Sequence, residues 1–123
     1  MTAVPAPPPL ECPEALGLVA ACGYGRIVGT LHALPHAWPV TYRVVDDVIR
    51  FPRPDGLEVS STLGRAVVGL EVDNGGIGRR ADWSVMVVGE VVECPSEPED
   101  GASAAGSVVA LRPGVVIGRR LTG

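Results

Sequence analysis

The sequence contains no lysine, and all ten of its basic residues are arginines. A pyridoxal phosphate Schiff base, a Walker-type phosphate loop and a lysine nucleophile each need a primary amine, so the composition excludes all three. Any anion that binds here must be held by arginine side chains or by backbone N–H groups. A GC-rich genome, which favours arginine codons, is the simpler explanation of the bias.

Aromatic residues and clustered positive charge are also scarce. The 123 residues include two Trp, two Tyr and one Phe, and the formal net charge is -4. Nucleic-acid binding relies on a basic surface and stacking aromatics, so the composition argues against DNA and RNA as partners. No apolar run approaches the roughly 20 residues that cross a bilayer, which predicts a soluble protein with no membrane partner.

Cysteine is present in a pattern that predicts no structural role for it. Cys12, Cys22 and Cys94 are an odd number without Cys-x-x-Cys spacing, which indicates neither a disulfide framework nor a zinc site. His32 and His36 do not predict a metal pair, because they fall in a predicted strand and in the turn after it. We therefore expect a cytoplasmic protein without a metal site.

The length allows one domain with a single core. We expect a Pro-rich flexible tail over residues 1–10 and the domain over residues 11–123. A helix is predicted over Glu11–Cys22, since acidic residues and a proline open it and glycines follow it. A second short helix is predicted over 57–63. Runs of β-branched residues between turn residues predict six strands, over 26–34, 38–45, 48–51, 66–73, 83–94 and 108–117.

The turns suggest how these strands connect. Pro35-His36 and Asp46-Asp47 are short connections, which predicts a meander of the first three strands. Asn74-Gly75-Gly76 predicts that the fourth and fifth strands are antiparallel neighbours. Residues 95–106 are predicted to be a mobile surface loop, and Pro113-Gly114 to bend the last strand. So many antiparallel strands favour closure into a small barrel, although the pattern alone does not distinguish a barrel from a sandwich.

Several different short motifs follow one another in a defined order along the chain, from about Glu11 to Leu121. They are Gly25-Arg26-Ile27-Val28, Pro39-Val40-Thr41-Tyr42, the segment Phe51 to Glu58, Glu71-x-Asp73, Trp83-Ser84-Val85 with Gly89 four residues on, and Gly118-Arg119-Arg120. Their order and spacing resemble the pyridoxamine 5'-phosphate oxidase-like split-barrel family, in particular its nitroimidazole-reductase-like branch. No single motif is specific to that family.

The resemblance implies a mainly β fold, a six-stranded antiparallel Greek-key split barrel with one or two short helices. It also implies a homodimer that binds flavin mononucleotide (FMN), or the related 8-hydroxy-5-deazaflavin, at the subunit interface. The implied cofactor-binding residues are Pro39, Val40, Thr41, Tyr42, Arg53, Gly56 and Trp83. In that scheme Arg53 contacts a phosphate and residues 39–42 line the flavin ring. Glu58 stands where flavin-binding members usually carry a lysine.

The residues alone contain no self-sufficient catalytic set. Ser84 lacks a Gly-x-Ser-x-Gly context, and the acidic pairs lie in predicted turns and loops, where carboxylates are not opposed. Redox chemistry would therefore come from a cofactor. Two hypotheses follow. One is a flavin- or deazaflavin-dependent oxidoreductase that acts on a small organic acceptor, and the other is a cofactor-free split barrel with a structural, ligand-binding or protein-binding role.

Overall fold

The computed structural model describes residues 9–61, 64–94 and 107–121. The predicted loop over 95–106, most of the predicted tail and two residues of the second predicted helix lie outside these ranges. The described elements are β1 (Pro9–Leu10), α1 (Cys12–Cys22), β2 (Tyr24–Leu31), β3 (Leu34–Thr41), β4 (Arg43–Val45), β5 (Val48–Pro52), β6 (Ser60–Ser61), β7 (Gly64–Arg65), β8 (Val67–Asp73), β9 (Trp83–Glu93) and β10 (Val108–Arg120).

The antiparallel sheet is the main structural feature, and it confirms the predicted mainly β split-barrel fold. Its strands follow the order β3-β2-β8-β9-β10-β5-β4, and β1 pairs with β10. Strand β3, at one end of this path, also approaches β5 near the other end, so the sheet curls towards closure. Each of the six predicted strands is present, with the second divided into β3 and β4.

Helix α1 confirms the early helical prediction. A proline lies in its first turn, and Gly23 ends it in the left-handed conformation with φ 73°. The helix packs Ala15 and Val19 into the core. The hydroxyl of Tyr42 donates a hydrogen bond to the carbonyl of Val19 in the last turn, where helix carbonyls lack partners within the helix. Tyr42 therefore fixes the end of the helix against the sheet.

The predicted turn at Pro35-His36 is wrong, because both residues lie within β3. The chain reverses at His32 and Ala33, whose φ angles of 52° and 63° are those of a two-residue hairpin turn. Proline is tolerated in β3 because β3 is the end strand of the sheet path. Asp46 and Asp47 form the second such turn, as predicted, with φ angles of 50° and 64°.

Two further predictions differ from the structure. The first three predicted strands pair consecutively, β2 with β3 and β4 with β5, but they do not form one continuous meander, because β3 and β4 lie at opposite ends of the sheet path. The helix predicted over 57–63 is absent from the part described, since residues 57–59 are irregular and β6 follows. Leu57 and Val59 are buried two residues apart, a spacing that fits an extended segment rather than a helix.

The core lies between the inner face of the sheet and α1. It is built from alternate residues of the long strands, with fully buried Ile27, Leu70, Val72, Val85, Val87, Val91, Val109 and Leu111 at its centre. Gly118 marks the close approach of α1 and β1 to β10, since a Cβ there would lie 2.7 Å from the Cβ of Leu10. Within the described ranges, no helix has the length and apolar character needed to span a membrane.

Candidate functional site

An open cleft of about 360 Å³ lies where the end of β3 leads into β4, beside β5 and the start of β10. It is lined by Thr41, Tyr42, Arg43, Arg50, Phe51, Pro52 and Val108. The cleft combines an apolar wall with two guanidinium groups and one hydroxyl. Such a mixture of apolar surface and a few polar groups is typical of small-molecule sites.

The two arginines of this cleft are direct neighbours across the β4–β5 hairpin. Arg43 and Arg50 are Cα partners in its register, because the turn at Asp46 and Asp47 brings them together. Like charges directly opposite each other in a sheet repel, so their placement favours an anion beside them. Both guanidinium groups also have interactions within the protein, so neither is an isolated cation. Planar guanidinium groups bind phosphate in a bidentate manner.

Tyr42 and Phe51 border the cleft but belong to the core, with exposed fractions of 7% and 1%, so Pro52 and Val108 supply its accessible apolar surface. Burial, together with the nearby Cys22, raises the pKa of Tyr42 to about 12. Its hydroxyl is committed to the carbonyl of Val19. Tyr42 therefore holds its proton through the whole physiological range and does not act as an acid or base.

The structure brings only two of the predicted cofactor residues into this cleft. They are Thr41 and Tyr42. Pro39 and Val40 precede them on β3, where Pro39 is exposed and Val40 is buried opposite Gly25 of β2. Sequence reasoning missed Arg43, Arg50 and Phe51. The sequence does indicate that these two arginines are neighbours, because a two-residue turn at Asp46-Asp47 places Arg43 and Arg50 opposite each other.

Arg53 and Gly56 belong to the loop that follows β5. The Nε of Arg53 donates a hydrogen bond of 2.9 Å to the carbonyl of Leu57, and its Nη1 lies 3.5 Å from Oε1 of Glu93. Gly56, with φ 91°, lies against Leu31 and Trp38. The indole of Trp38 donates to the carbonyl of Asp55. These contacts hold the loop against the β2–β3 hairpin.

Trp83 is far from the cleft within one chain. It begins β9 opposite Arg120, at one end of β10, whereas Val108 of the cleft lies at the other end of that 13-residue strand. The indole is partly buried and packs against the core. Glu58 is exposed and lies between buried Leu57 and Val59.

A second charged group lies on the outer face of the sheet. Nη1 of Arg26 on β2 is 3.3 Å from Oε2 of Glu71 and 3.8 Å from Oδ2 of Asp73, both on β8. Burial and the hydrogen bond with Asp73 raise the pKa of Glu71 from its usual 4.5 to about 7. The same hydrogen bond lowers the pKa of Asp73. The pair therefore tends to share one proton.

Glu71 gives a testable pH dependence of stability. Its pKa is higher in the folded protein, so the folded state binds more protons than the unfolded chain between about pH 4.5 and pH 7. The stabilising contribution is complete below this window and is lost as the pH rises through it. We expect Glu71→Gln, which keeps a hydrogen-bond donor for Asp73, to remove this part of the slope. Urea unfolding at several pH values measures it.

The control for this experiment is Glu58→Gln, an exposed loop glutamate. It should leave the slope of the wild-type protein unchanged. The lowered pKa of Asp73 acts only at more acidic pH, where stability falls as that carboxylate is protonated. Parallel pH curves for wild type and Glu71→Gln would contradict the assignment.

Comparison with known proteins identifies a protein of the same family. The chain is 35% identical over 128 aligned positions to the uncharacterized protein Rv0080 of Mycobacterium tuberculosis, and the alignment covers 91% of this chain and 84% of that protein. The two therefore belong to one family. No family model matches the sequence.

Solved structures match the fold closely. A protein provisionally assigned as a pyridoxamine 5'-phosphate oxidase from Corynebacterium glutamicum has a TM-score of 0.72 and 22% identity, over 94% of this chain and 98% of that one. The chain has the split-barrel fold of this protein. An FAD-binding protein of Mycobacterium smegmatis has a TM-score of 0.69 and 23% identity, over 94% and 99%. An FAD-binding protein of Mesorhizobium loti has a TM-score of 0.70 and 21% identity, over 91% and 94%.

These split-barrel relatives locate no ligand on this chain by themselves, because at such identities the likeness extends to the fold alone. In the part of the chain that the structure describes, no three His, Cys, Asp or Glu residues are grouped as metal ligands. Of three clefts of similar volume on the described residues, the one beside β4 and β5 combines two arginines with apolar surface, and the functional assignment is made there.

Proposed function

We propose that this split barrel binds a flavin-class cofactor in the cleft beside β4 and β5, as a cytoplasmic homodimer. The observation that carries the proposal is the pair Arg43 and Arg50, set opposite each other in a cleft that also includes Pro52 and Val108. A flavin nucleotide has the complementary parts, an anionic phosphate and a planar apolar ring. The relatives that are named as FAD-binding proteins support a flavin rather than another nucleotide.

The residues of the cleft fit such a group in charge and polarity. Arg43 and Arg50 are placed to hold a phosphate, the hydroxyl of Thr41 can bond to a polar chain, and Pro52 and Val108 offer an apolar wall. At about 360 Å³ the cleft lies near the lower limit for small-molecule sites and is open on one side. We propose that a second copy of the chain closes it, as the family resemblance implies for a cofactor at the subunit interface.

A bound flavin or deazaflavin would supply electron or hydride transfer to a small organic acceptor. The residues of the chain would bind and orient the cofactor. Tyr42 holds the wall in place through its bond to Val19 and keeps its proton, so we assign no acid or base to the cleft. Glu58 is exposed in the loop after β5 and does not line the cleft, so it leaves the two arginines as the phosphate ligands.

The test is whether the purified protein retains a chromophore. The protein is incubated with FMN, FAD or 8-hydroxy-5-deazaflavin in parallel, freed of excess ligand, and its absorbance spectrum is recorded. We expect a stoichiometric amount of at least one of them to be retained. If none is retained, the flavin proposal fails. The alternative is then a cofactor-free split barrel that binds a protein or another small molecule.

Arg53 provides a matched test of which arginines contact the phosphate. Its guanidinium is engaged with Leu57 and Glu93, so we propose that it positions the 53–59 loop. Arg53→Ala should change the dissociation constant of FMN by less than about twofold. It should lower the free energy of unfolding by about 1 kcal/mol, because one hydrogen bond and one exposed ion pair are lost. A large loss of FMN affinity would instead make Arg53 a phosphate ligand.

A further inference from the structure

A second cleft, of about 400 Å³, lies between helix α1 and the β4–β5 hairpin. Arg43 and Arg50 are Cα partners in this hairpin, and Val44 and Ile49 are the next pair. Side chains alternate between the two faces of a strand, so this next pair points away from the arginines. We name the second cleft the helix groove. Its lining includes Leu16, Gly17, Ala20, Val44, Asp47 and Pro113.

The accessible surface of the helix groove is mainly apolar. Leu16 of α1 and Val44 of β4 are 36% and 38% exposed, and Ala20 is exposed one turn after Leu16. Pro113 of β10 is half-buried and has no backbone N–H. Ile49 is 1% exposed, so it lies beneath these side chains. Exposed apolar side chains around one cleft are stabilised when an apolar molecule covers them.

Glycine at position 17 keeps the helix groove open. Gly17 lies in the interior of α1, where glycine is less favourable than alanine. It is not one of the glycines with a positive φ, and a Cβ there would meet nothing within 4 Å. Neither the backbone conformation nor the packing of α1 therefore requires glycine at this position. The missing side chain leaves open volume beside Leu16 and Ala20, which a bound molecule would need.

Asp47 is the charged residue of the helix groove. It is exposed in the two-residue turn of the hairpin, and Asp46 beside it adds a second negative charge. The basic side chains of the hairpin, Arg43 and Arg50, lie on the opposite face. In the ranges that the structure describes, no arginine forms an ion pair with Asp47. The groove is therefore complementary to a molecule with an apolar body and one positive end.

We propose that the helix groove binds a small lipophilic ammonium ion, whose N–H groups bond to the carboxylate of Asp47 while its alkyl chain covers Leu16 and Val44. None of the described residues that line the groove is aromatic, so the cation is recognised by a carboxylate and not by an aromatic face. The volume is that of a small-molecule site, which favours such a ligand over a protein segment. The helix groove shares no lining residue with the cleft of the two arginines, so this proposal does not depend on flavin binding.

Three probes of equal chain length test the charge preference. Octylamine, octanol and octanoate carry a positive, a neutral and a negative head group at about pH 7. We expect octylamine to bind about fivefold more tightly than octanol, as an exposed ion pair allows, and octanoate to bind most weakly. Isothermal titration calorimetry measures the dissociation constants, and amide NMR shifts in α1 and in the β4–β5 hairpin locate the probe. No binding of octylamine, or octanoate bound as tightly as octylamine, would overturn the proposal.

Gly17→Leu tests whether the open volume is the binding site. Leucine is a strong helix former, and its side chain would occupy the open space beside α1. We expect octylamine and octanol both to bind at least about 10-fold more weakly, because both alkyl chains lose the same volume. The control is Ala21→Leu, which adds a similar side chain at an exposed position of α1 outside the lining of the groove. It should leave both affinities within about twofold of wild type.

Asp47→Asn tests the charge without disturbing the turn. Asparagine, like aspartate, tolerates the positive φ of 64° at this position. Octylamine should lose its roughly fivefold advantage over octanol, while the affinity for octanol stays the same. The matched control is Asp46→Asn, which makes the same change in the same turn at a residue outside the lining of the groove. It should retain most of the advantage of octylamine.

The two variants together decide the proposal, once circular dichroism has shown that both are folded. Weaker binding of both probes to Gly17→Leu and a lost charge preference in Asp47→Asn are the results expected. A Gly17→Leu protein that binds octylamine as tightly as wild type would overturn the proposal. An Asp47→Asn protein that still prefers octylamine to octanol by about fivefold would do so too.

Discussion

Gly89→Ala is expected to unfold the protein or to lower its free energy of unfolding by at least about 4 kcal/mol. Gly89 pairs with Pro113 at the place where the register of β9 and β10 shifts. A Cβ on Gly89 would lie 1.7 Å from the carbonyl oxygen of Arg112. That oxygen is a backbone atom, so the clash is relieved only if the two strands separate. The measurement is thermal or urea unfolding followed by circular dichroism.

Gly17→Ala is the matched control for this prediction. Gly17 lies within α1, and a Cβ there would meet nothing within 4 Å. Alanine removes backbone freedom from the unfolded chain, so we expect Gly17→Ala to stabilise the protein by about 0.5–1 kcal/mol. Equal effects of Gly89→Ala and Gly17→Ala on the free energy of unfolding would mean that β9 and β10 do not approach closely where their register shifts.

Replacing the two arginines of the cleft is expected to have the largest effect on flavin binding. Arg43→Ala and Arg50→Ala should each weaken FMN binding by about 10-fold, and the double variant by about 100-fold, because each removes a charged hydrogen-bond donor from the phosphate. The two positions are cross-strand neighbours, so the single effects need not add. Fluorescence titration of FMN measures the dissociation constants.

Arg80→Ala is the control for these variants, since it removes an equal charge from an exposed turn distant in sequence from the cleft. It should leave FMN affinity within about twofold of wild type, because exposed charges beyond the Debye length are screened. A comparable loss in Arg80→Ala would show that the net charge of the protein, rather than the cleft, controls binding. Circular dichroism of every variant confirms that the fold is retained.

The strands were predictable from the sequence because burial on one face imposes a two-residue period. Val68, Leu70 and Val72 are buried in β8, and Val85 and Val87 continue the pattern in β9. The turn at Asp46 and Asp47 was also predictable, since aspartate tolerates positive φ. The hairpin at His32 and Ala33 was not, because neither glycine nor asparagine marks it.

The order of strands in the sheet could not be obtained from local patterns. Short connections suggested that β2, a single strand over β3 and β4, and β5 lie side by side, but the second strand is divided at Tyr42, which bonds to Gly23 and to Val19. Strand β5 then pairs with β10, more than fifty residues later in the chain. Such pairing depends on the shape of the whole barrel rather than on any turn.

The candidate site was predicted only in part. The resemblance directed attention to Arg53, which holds a loop carbonyl in the structure, and away from Arg43 and Arg50. The pairing of these two arginines follows from the two-residue turn between them, so hairpin register alone would have placed them together. That the cleft also includes Val108 depends on the pairing of β5 with β10.

The most direct test of the account compares FMN with riboflavin, which lacks the phosphate, in wild type and in the Arg43→Ala, Arg50→Ala double variant. The account predicts that wild type binds FMN about 100-fold more tightly than riboflavin and that the double variant has lost this difference while its riboflavin affinity is unchanged. Equal affinity of wild type for the two ligands, or an undiminished preference for FMN in the double variant, would contradict the proposed phosphate site.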